Sequence, residues 1–290
     1  MALTHNPLRG ILLIVIAIAS FAVMDTIAKY LSQSYPVGNV VWARYVVNLA
    51  VLSIFLVVRG EVRRVRTARP MTQIVRGLML GASTLLYFTS LTVLPLAEAA
   101  AIGFVLPVFV AILAVPMLNE RIDMPRIIAI VVGLSGALIV VRPGTALFTP
   151  YALLPVAMAL CNAFYQILTR KIAGVEHPLT SLFYGSLIGT ILSTTLLSAG
   201  VSLPVGWFHW LLFLALGVIA TVSHFVLIRA FDYAPATLLS PFVYTQLVWV
   251  MLFGWLVFGD FPDGWSLVGM AVIVGSGLYI ANRQRLTARR

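Results

Sequence analysis

The chain has 290 residues, of which 61% are hydrophobic and only 10% charged, and its formal net charge is +10. Soluble domains carry about 25% charged residues, so this composition excludes a water-soluble globule and marks an integral membrane protein. The basic excess would suggest nucleic acid in a soluble chain, but no loop here offers the aromatic platforms that such binding needs.

Crossing a hydrocarbon layer of about 30 Å takes about 20 mostly apolar residues. Ten such runs fit without overlap, near residues 11–31, 39–58, 76–94, 97–118, 125–141, 151–169, 179–199, 208–228, 236–257 and 265–282. They are continuous, unlike the alternating strands of a barrel, so the expected fold class is all-α integral membrane with ten transmembrane helices. The first run holds a small-x-small pattern at Ala17 and Ala19, as a cleavable signal would. Its apolar stretch goes on to Leu31, and it reads as a retained span. The longest interval between spans, Arg59 to Val75, is too short for a module outside the membrane. Cys161 is the single cysteine and lies inside a span, so neither a disulfide framework nor a zinc spacing can be built.

Charge placement sets the expected topology. With the N-terminus in the cytoplasm, sixteen of the nineteen Lys and Arg fall on the cytoplasmic side: Arg9, the cluster Arg59, Arg63, Arg64, Arg66, Arg69 and Arg76, then Arg121, Arg126, Arg170, Lys171, Arg229, Arg283, Arg285, Arg289 and Arg290. Lys29, Arg44 and Arg142 fall outside. This is the positive-inside asymmetry, and it predicts both termini in the cytoplasm; the expected location is a bacterial inner membrane.

The stretch from Arg76 to Ile122 reads as two apolar helices with a bend at Leu94 and Pro95, and its plan returns 140 residues later. Ser83 aligns with Ser223, Pro95 with Pro235 and Glu120 with Asp260. Spans one and six align at an offset of 141, pairing Ala22 with Ala163, Asp25 with Gln166 and Lys29 with Arg170. Two five-span repeats follow, residues 1–142 and 151–282, and an odd span count turns the second upside down relative to the first. Ala129, Gly133 and Ala137, and likewise Ala271 and Gly275, recur every four residues; that pattern predicts close helix packing of spans five and ten as scaffold.

These repeats carry a family resemblance. The end of span one (FAVMDTIAKYL), the opening of span two (VVWARYVVN), the hairpin LTVLPLAEAAAIGFVLPVFVAILAVPMLNERI and its counterpart AFDYAPATLLSPFVYTQLVWVMLFGWLVFGD follow the order and spacing of the drug/metabolite transporter superfamily, built from two EamA-type repeats. The resemblance covers almost the whole chain. It implies an alternating-access carrier with its substrate cavity between the repeats, in a superfamily that includes exporters of amino acids and drugs and uptake systems for nucleotide-like metabolites.

Polar residues inside spans cost free energy in lipid and so tend to face the bundle interior. Asn48, Ser83, Thr84, Asn162, Tyr165, Gln166, Ser186, Thr190, His224, Tyr244 and Gln246 sit near the middle of their spans, with Trp249 close by. Asn162, Tyr165, Gln166 and Thr169 form one helical stripe, and Ser186, Thr190 and Ser193 another. Tyr87 and Phe104 add aromatic surface. The bland reading is hydrogen-bonded glue between helices; the functional one makes Ser83, Thr84, Tyr87, Phe104, Asn162, Tyr165, Gln166, His224, Tyr244, Gln246 and Trp249 the substrate-binding set. His224 is the one histidine expected inside a span, facing Thr84 in the repeat alignment, and its titration range would suit proton coupling. No fixed charge is expected at midplane, which argues for loose selectivity.

Asp25 and Lys29 are spaced as a helical ion pair, and Arg44 lies at similar depth; together they read as a gating cluster, with Asp25 as proton carrier the second reading. Glu98 opens span four, where a helix N-terminus favours a carboxylate. Asp260 and Asp263 are expected to be solvated. No HExxH, phosphate-cradling glycine loop or catalytic constellation is present, so no enzyme, metal or cofactor is expected, and no charge ring points to a channel. The expected function is secondary transport of small polar metabolites, most simply amino acid export. The alternatives are uptake of a nucleotide-like metabolite such as S-adenosylmethionine and a non-transporting membrane interaction protein, which would not need the polar stripes.

Overall fold

The computed structural model describes residues 6–119, 124–142, 149–199, 202–234 and 236–287. Glu120, Arg121, Pro235 and most of the connection between the repeats therefore lie outside the described residues, as do the side chains of Arg126, Arg283, Arg285, Arg289 and Arg290. No strand occurs among the described residues.

The chain runs through α1 (Pro7–Ser32), α2 (Val37–Val58), α3 (Pro70–Leu91), α4 (Leu96–Gly103), α5 (Leu106–Leu118), α6 (Met124–Val141), α7 (Leu153–Ile172), α8 (Pro178–Thr195), α9 (Gly206–Phe231), α10 (Ala236–Leu239), α11 (Thr245–Phe253) and α12 (Gly264–Thr287). Among the described residues, seven spans are long and apolar enough to cross a membrane on those grounds alone; α6 and α12 hold shorter apolar stretches, Ile127–Val141 and Gly264–Ile280. Proline opens α1, α3 and α8 within their first two positions, where its missing N–H costs nothing. Leu12, Ile54, Ile128, Leu138, Leu214 and Leu256 are exposed, giving the outer surface the apolar face that lipid requires.

Two spans are broken. Span four divides at Phe104 and Val105 into α4 and α5, because Pro107 has no N–H to give to the Gly103 carbonyl. Span nine starts as the single turn α10, passes through a 3₁₀ segment containing Pro241 (Ser240–Tyr244), continues as α11 and ends in a π-helical turn, Gly254–Phe258. Continuous helices were expected here from the apolar runs alone.

The helices form two inverted five-span repeats, and their packing respects the swap. Helix α1 packs along α9 as α7 packs along α3; α2 packs on α9 as α8 packs on α3; α5 meets α7 as α11 meets α1. The self-related pairs, α2 with α8 and α6 with α12, close the bundle. Contacts at the helix ends sort the connections into two sides. Arg9 lies over the Tyr233 ring at 4.6 Å, and Glu176 accepts from Thr67 Oγ1 at 2.8 Å and from the Ala68 and Arg69 amides at 2.8 and 3.0 Å, all on the side of the N-terminus. On the opposite side Asn39 donates to the Ser202 carbonyl at 3.0 Å, and Tyr35 Oη lies 2.7 Å from His209 Nδ1.

The scaffold contact between α6 and α12 uses the expected Ala129, Gly133 and Ala137 stripe on α6, with Ser276 Oγ donating to the Ala129 carbonyl at 3.0 Å, but other small residues than expected on α12. A methyl group at Gly269 would stand 2.6 Å from the Gly136 carbonyl oxygen, and one at Gly133 would stand 2.7 Å from Ser276 Oγ. Ala271 is exposed, and nothing lies within 4 Å of a methyl at Gly275. The Ala271/Gly275 stripe thus lies off the packed face, because Gly269, Ile273 and Ser276 define that face and 271 and 275 are rotated away from it.

Candidate functional site

The centre of the bundle is polar because α2, α3, α7, α8 and α9 converge there. Arg44 on α2 is 5% exposed. Its Nη1 donates to Thr84 Oγ1 at 2.8 Å, Tyr45 Oη lies 2.8 Å from the same hydroxyl, and its guanidinium stands 4.9 Å from the Tyr45 ring centroid. Arg44 Nε is buried with no hydrogen-bond partner among the described residues.

Arg76 on α3 is 2% exposed. It donates from Nε to Thr169 Oγ1 at 2.8 Å, and from Nη1 to Gln73 Oε1 at 3.0 Å and to the Ser181 carbonyl at 2.8 Å. Its guanidinium also lies 4.8 Å from the Tyr165 ring centroid. A buried guanidinium is tolerated when its donors are met in this way. Arg76 was expected in the cytoplasmic basic cluster; instead α3 begins at Pro70 and carries it almost two turns into the bundle.

Between the two arginines lies a cavity of about 20 Å³, bounded by Tyr45, Asn48, Tyr165, Ser186 and His224, with room for about one water molecule. His224 Nδ1 lies 2.8 Å from the Ala220 carbonyl oxygen. A carbonyl only accepts, so Nδ1 carries a proton, and in the neutral form of the ring Nε2 is then the acceptor. The Phe21 ring fixes the imidazole edge-on at 4.9 Å. Two fixed cationic side chains, Arg44 and Arg76, thus line one cavity with His224, which corrects the expectation of a midplane without fixed charge.

Of the other expected site residues, only Tyr165 lines this cavity; the rest lie elsewhere in the bundle. Thr84 reaches it through Arg44, whereas the Ser83 hydroxyl turns back to the Leu80 carbonyl at 2.9 Å. Tyr165 lines it beside Arg76, and Thr169 holds Arg76. Gln166 donates to Asn162 Oδ1 at 3.0 Å on the same helix, and neither borders the cavity. Ser186 donates to Asn48 Oδ1 at 2.7 Å, while Thr190 and Ser193 return to carbonyls of their own helix. A second polar group forms where α1, α3 and α11 meet. Gln246 Nε2 lies 3.5 Å from Asp25 Oδ2; the buried Tyr87 hydroxyl stands beside that carboxyl without an aligned hydrogen bond of its own. Phe104 and Tyr244 stack on each other at 5.2 Å, and Trp249 stacks on Phe253 at 6.2 Å.

The gating cluster is rewired. Lys29 does not pair with Asp25; its Nζ donates to Asp260 Oδ2 at 2.9 Å and to the Leu94 carbonyl at 3.2 Å. The α1 end lies against the π-turn of the other repeat, and that neighbour supplies the acid. Asp260 is thus ion-paired, not simply solvated. Asp263, half exposed, pairs with Arg142 and accepts from the Ser266 amide at 2.8 Å; that amide, seconded by Arg142, holds its carboxyl below the usual range. Glu98 is buried in the first turn of α4, as its helix-start position implied.

Arg76 and Tyr45 line the cavity and Asp260 holds Lys29 although none was expected there, and Asn48 and Ser186, expected only as midplane polar residues, line it too. Pro70 signalled the earlier start of α3, and with that start Arg76 falls inside the bundle. No comparable local signal joined Lys29 to Asp260, which are 231 positions apart.

Ten helical spans in two inverted halves, with broken helices and a charged cavity between the halves, define a membrane transporter. The chain belongs to the EamA-like transporter family, which it matches over residues 8–142 and 149–282. It is 31% identical to an S-adenosylmethionine uptake transporter of Rickettsia conorii over 98% of this chain and 96% of the relative. It is 28% identical to a riboflavin transporter of Vibrio cholerae (100% and 98% covered) and 29% identical to a pseudopaline exporter of Pseudomonas aeruginosa (91% and 93% covered). A solved crystal structure with a TM-score of 0.66, at 19% identity and covering 96% of this chain and 97% of its own, shares the fold.

Proposed function

We propose that this protein is a secondary carrier for a small metabolite with an α-amino-acid head and a flat ring, of the S-adenosylmethionine kind, taken up across an inner membrane with both protein termini in the cytoplasm. The observation that carries this reading is the placement of Arg44 and Arg76 on one cavity between the repeats. Guanidinium groups recognise carboxylates through paired donors. With Nδ1 bonded to the Ala220 carbonyl, Nε2 of a neutral His224 is an acceptor suited to an ammonium or ring N–H. The similarity to S-adenosylmethionine uptake transporters over nearly the full chain supports the same cargo. The basic segment Arg59–Arg69 and Arg229 share the N-terminal side, which supports the orientation through the positive-inside bias.

Amino acid export is the second reading. It rests on the same guanidinium pair, which suits any amino-acid carboxylate, and on the similarity to an exporter. Purified protein in liposomes, tested for counterflow of labelled S-adenosylmethionine, methionine and riboflavin, separates them. Counterflow of S-adenosylmethionine is expected. Counterflow of amino acids alone selects the second reading, and counterflow of riboflavin alone sinks both.

A further inference from the structure

The structure holds a second and larger cavity, of about 420 Å³, at the opposite mouth of the bundle from the N-terminus. The Lys29–Asp260 pair lines it together with Gln33, Thr92 and Phe258. The volume lies in the range of about 300 to 1,000 Å³ typical of small-molecule sites, whereas the central cavity holds about 20 Å³.

Three features give this cavity its chemistry. Lys29 Nζ is held between Asp260 Oδ2 and the Leu94 carbonyl, 4.8 Å from the Phe258 ring centroid. Asp260 uses one carboxylate oxygen for that contact, and its side chain is 39% exposed. The wall from Leu91 to Leu94 is the C-terminal end of α3, the negative end of the helix dipole, although the Thr89 and Ser90 carbonyls already accept from the Thr92, Val93 and Leu94 amides. An ammonium thus meets Asp260 and the α3 terminus, a carboxylate meets Lys29, and the two charges of an α-amino-acid head are spaced to span an ion pair without separating it.

We propose that this cavity is a second binding station for the substrate's amino-acid head at the mouth opposite the N-terminus, used when the central site is closed. Because Lys29 belongs to the first repeat and Asp260 to the second, a substrate seated there bears on a contact that ties the two repeats together. This inference rests on the reading that the cargo carries such a head.

Calorimetric titration of the purified carrier with S-adenosylmethionine, and separately with methionine, tests it. Two sites per chain are expected in the unmodified protein. Lys29→Met and Asp260→Asn should each weaken one of them by at least tenfold and spare the other. Phe258→Ala, which leaves both charges in place, should weaken the same site severalfold and serves where the charge variants fail to fold. One site that survives both Lys29→Met and Phe258→Ala overturns the second station and leaves the carrier reading standing. No heat with either probe overturns both.

Discussion

Phe104 and Tyr244 stack at 5.2 Å with their ring planes 25° apart, and they hold equivalent places, 140 positions apart, in the two repeats. Equivalent residues that touch must straddle the pseudo-twofold axis. Each also sits at the break of its span, between α4 and α5 or just before α11, so the two interrupted helices meet at their weak points. The Tyr244 ring lies over Gly277 of α12, where a side chain would overlap it.

A stacked aromatic pair contributes about 0.5 to 1.5 kcal/mol beyond its buried area. Phe104→Ala and Tyr244→Ala, made singly and together and followed by unfolding in mixed micelles, should show a coupling energy of that order. Strictly additive losses would mean that the rings are neighbours without interacting.

The glycine contacts separate a packed face from an exposed one. Gly269→Leu and Gly136→Leu place bulk against a backbone carbonyl 2.6 to 2.7 Å away, and overpacking of this kind costs about 1 to 3 kcal/mol or more. Both should lower the monodisperse fraction after detergent extraction. Gly275→Leu projects into open space and should leave that fraction unchanged; an equal loss at 275 would contradict the assigned α6–α12 interface.

The span count, the inversion and the family pattern were all legible in the sequence, because lipid forces long apolar runs and the repeat spacing survives even where identities do not. Pro107 was readable as a helix breaker and explains the α4–α5 break. Partner choice was not readable. Lys29 has Asp25 one helical turn away and still binds Asp260, because the tertiary neighbour also supplies the Leu94 carbonyl and the Phe258 face. The central charges were hidden by the position of Arg76 beside a basic loop, where composition alone groups it with solvated residues. The hydroxyl stripe on α8 illustrates the converse, since Thr190 and Ser193 satisfy themselves locally.

Orientation is tested by accessibility of introduced cysteines in a chain whose native Cys161 is replaced by Ala. Gln73 is unsuitable because it is buried against Ser181. Arg63 and Ser202 are exposed and lie at opposite ends of the bundle. Ser202→Cys should react with an impermeant thiol reagent applied to intact cells, and Arg63→Cys should react only after permeabilisation. The reverse pattern would place the termini outside.

His177 caps α8 by accepting the Leu179 amide on Nδ1 at 3.2 Å, which needs that nitrogen unprotonated. Burial, seconded by Arg64, pushes the imidazole below its ordinary 6.5. A histidine whose folded value is lowered contributes fully above the unfolded value and loses that contribution as pH falls through 6.5 toward the folded value. Amide exchange at Leu179, corrected for intrinsic rates, should therefore accelerate from pH 7.5 to about pH 5, and His177→Asn, which caps without titrating, should flatten the profile. An unchanged profile in the asparagine variant would assign the pH dependence elsewhere.

The last expectation concerns the guanidinium pair. Arg76 is held by Thr169, Gln73 and the Ser181 carbonyl, three partners on three helices, so its plane is fixed before any substrate arrives. A lysine keeps the charge but not the planar fork, and the exchange is not conservative at such a site. Arg76→Lys should therefore reach the membrane in near-normal amount and yet bind substrate at least about tenfold more weakly, a difference of about 1.4 kcal/mol. Arg44 has one buried nitrogen without a partner, and burial of such a donor is tolerated at a cost of about 1 to 3 kcal/mol. If substrate meets that donor, Arg44→Lys should lose affinity while gaining thermal stability in the substrate-free state. Titration of the two variants with S-adenosylmethionine and with its decarboxylated analogue gives the decisive comparison. The unmodified carrier should prefer the carboxylate form strongly, and each variant should narrow that preference. Equal preference in all three would mean that the arginines hold helices together and that the carboxylate is read elsewhere.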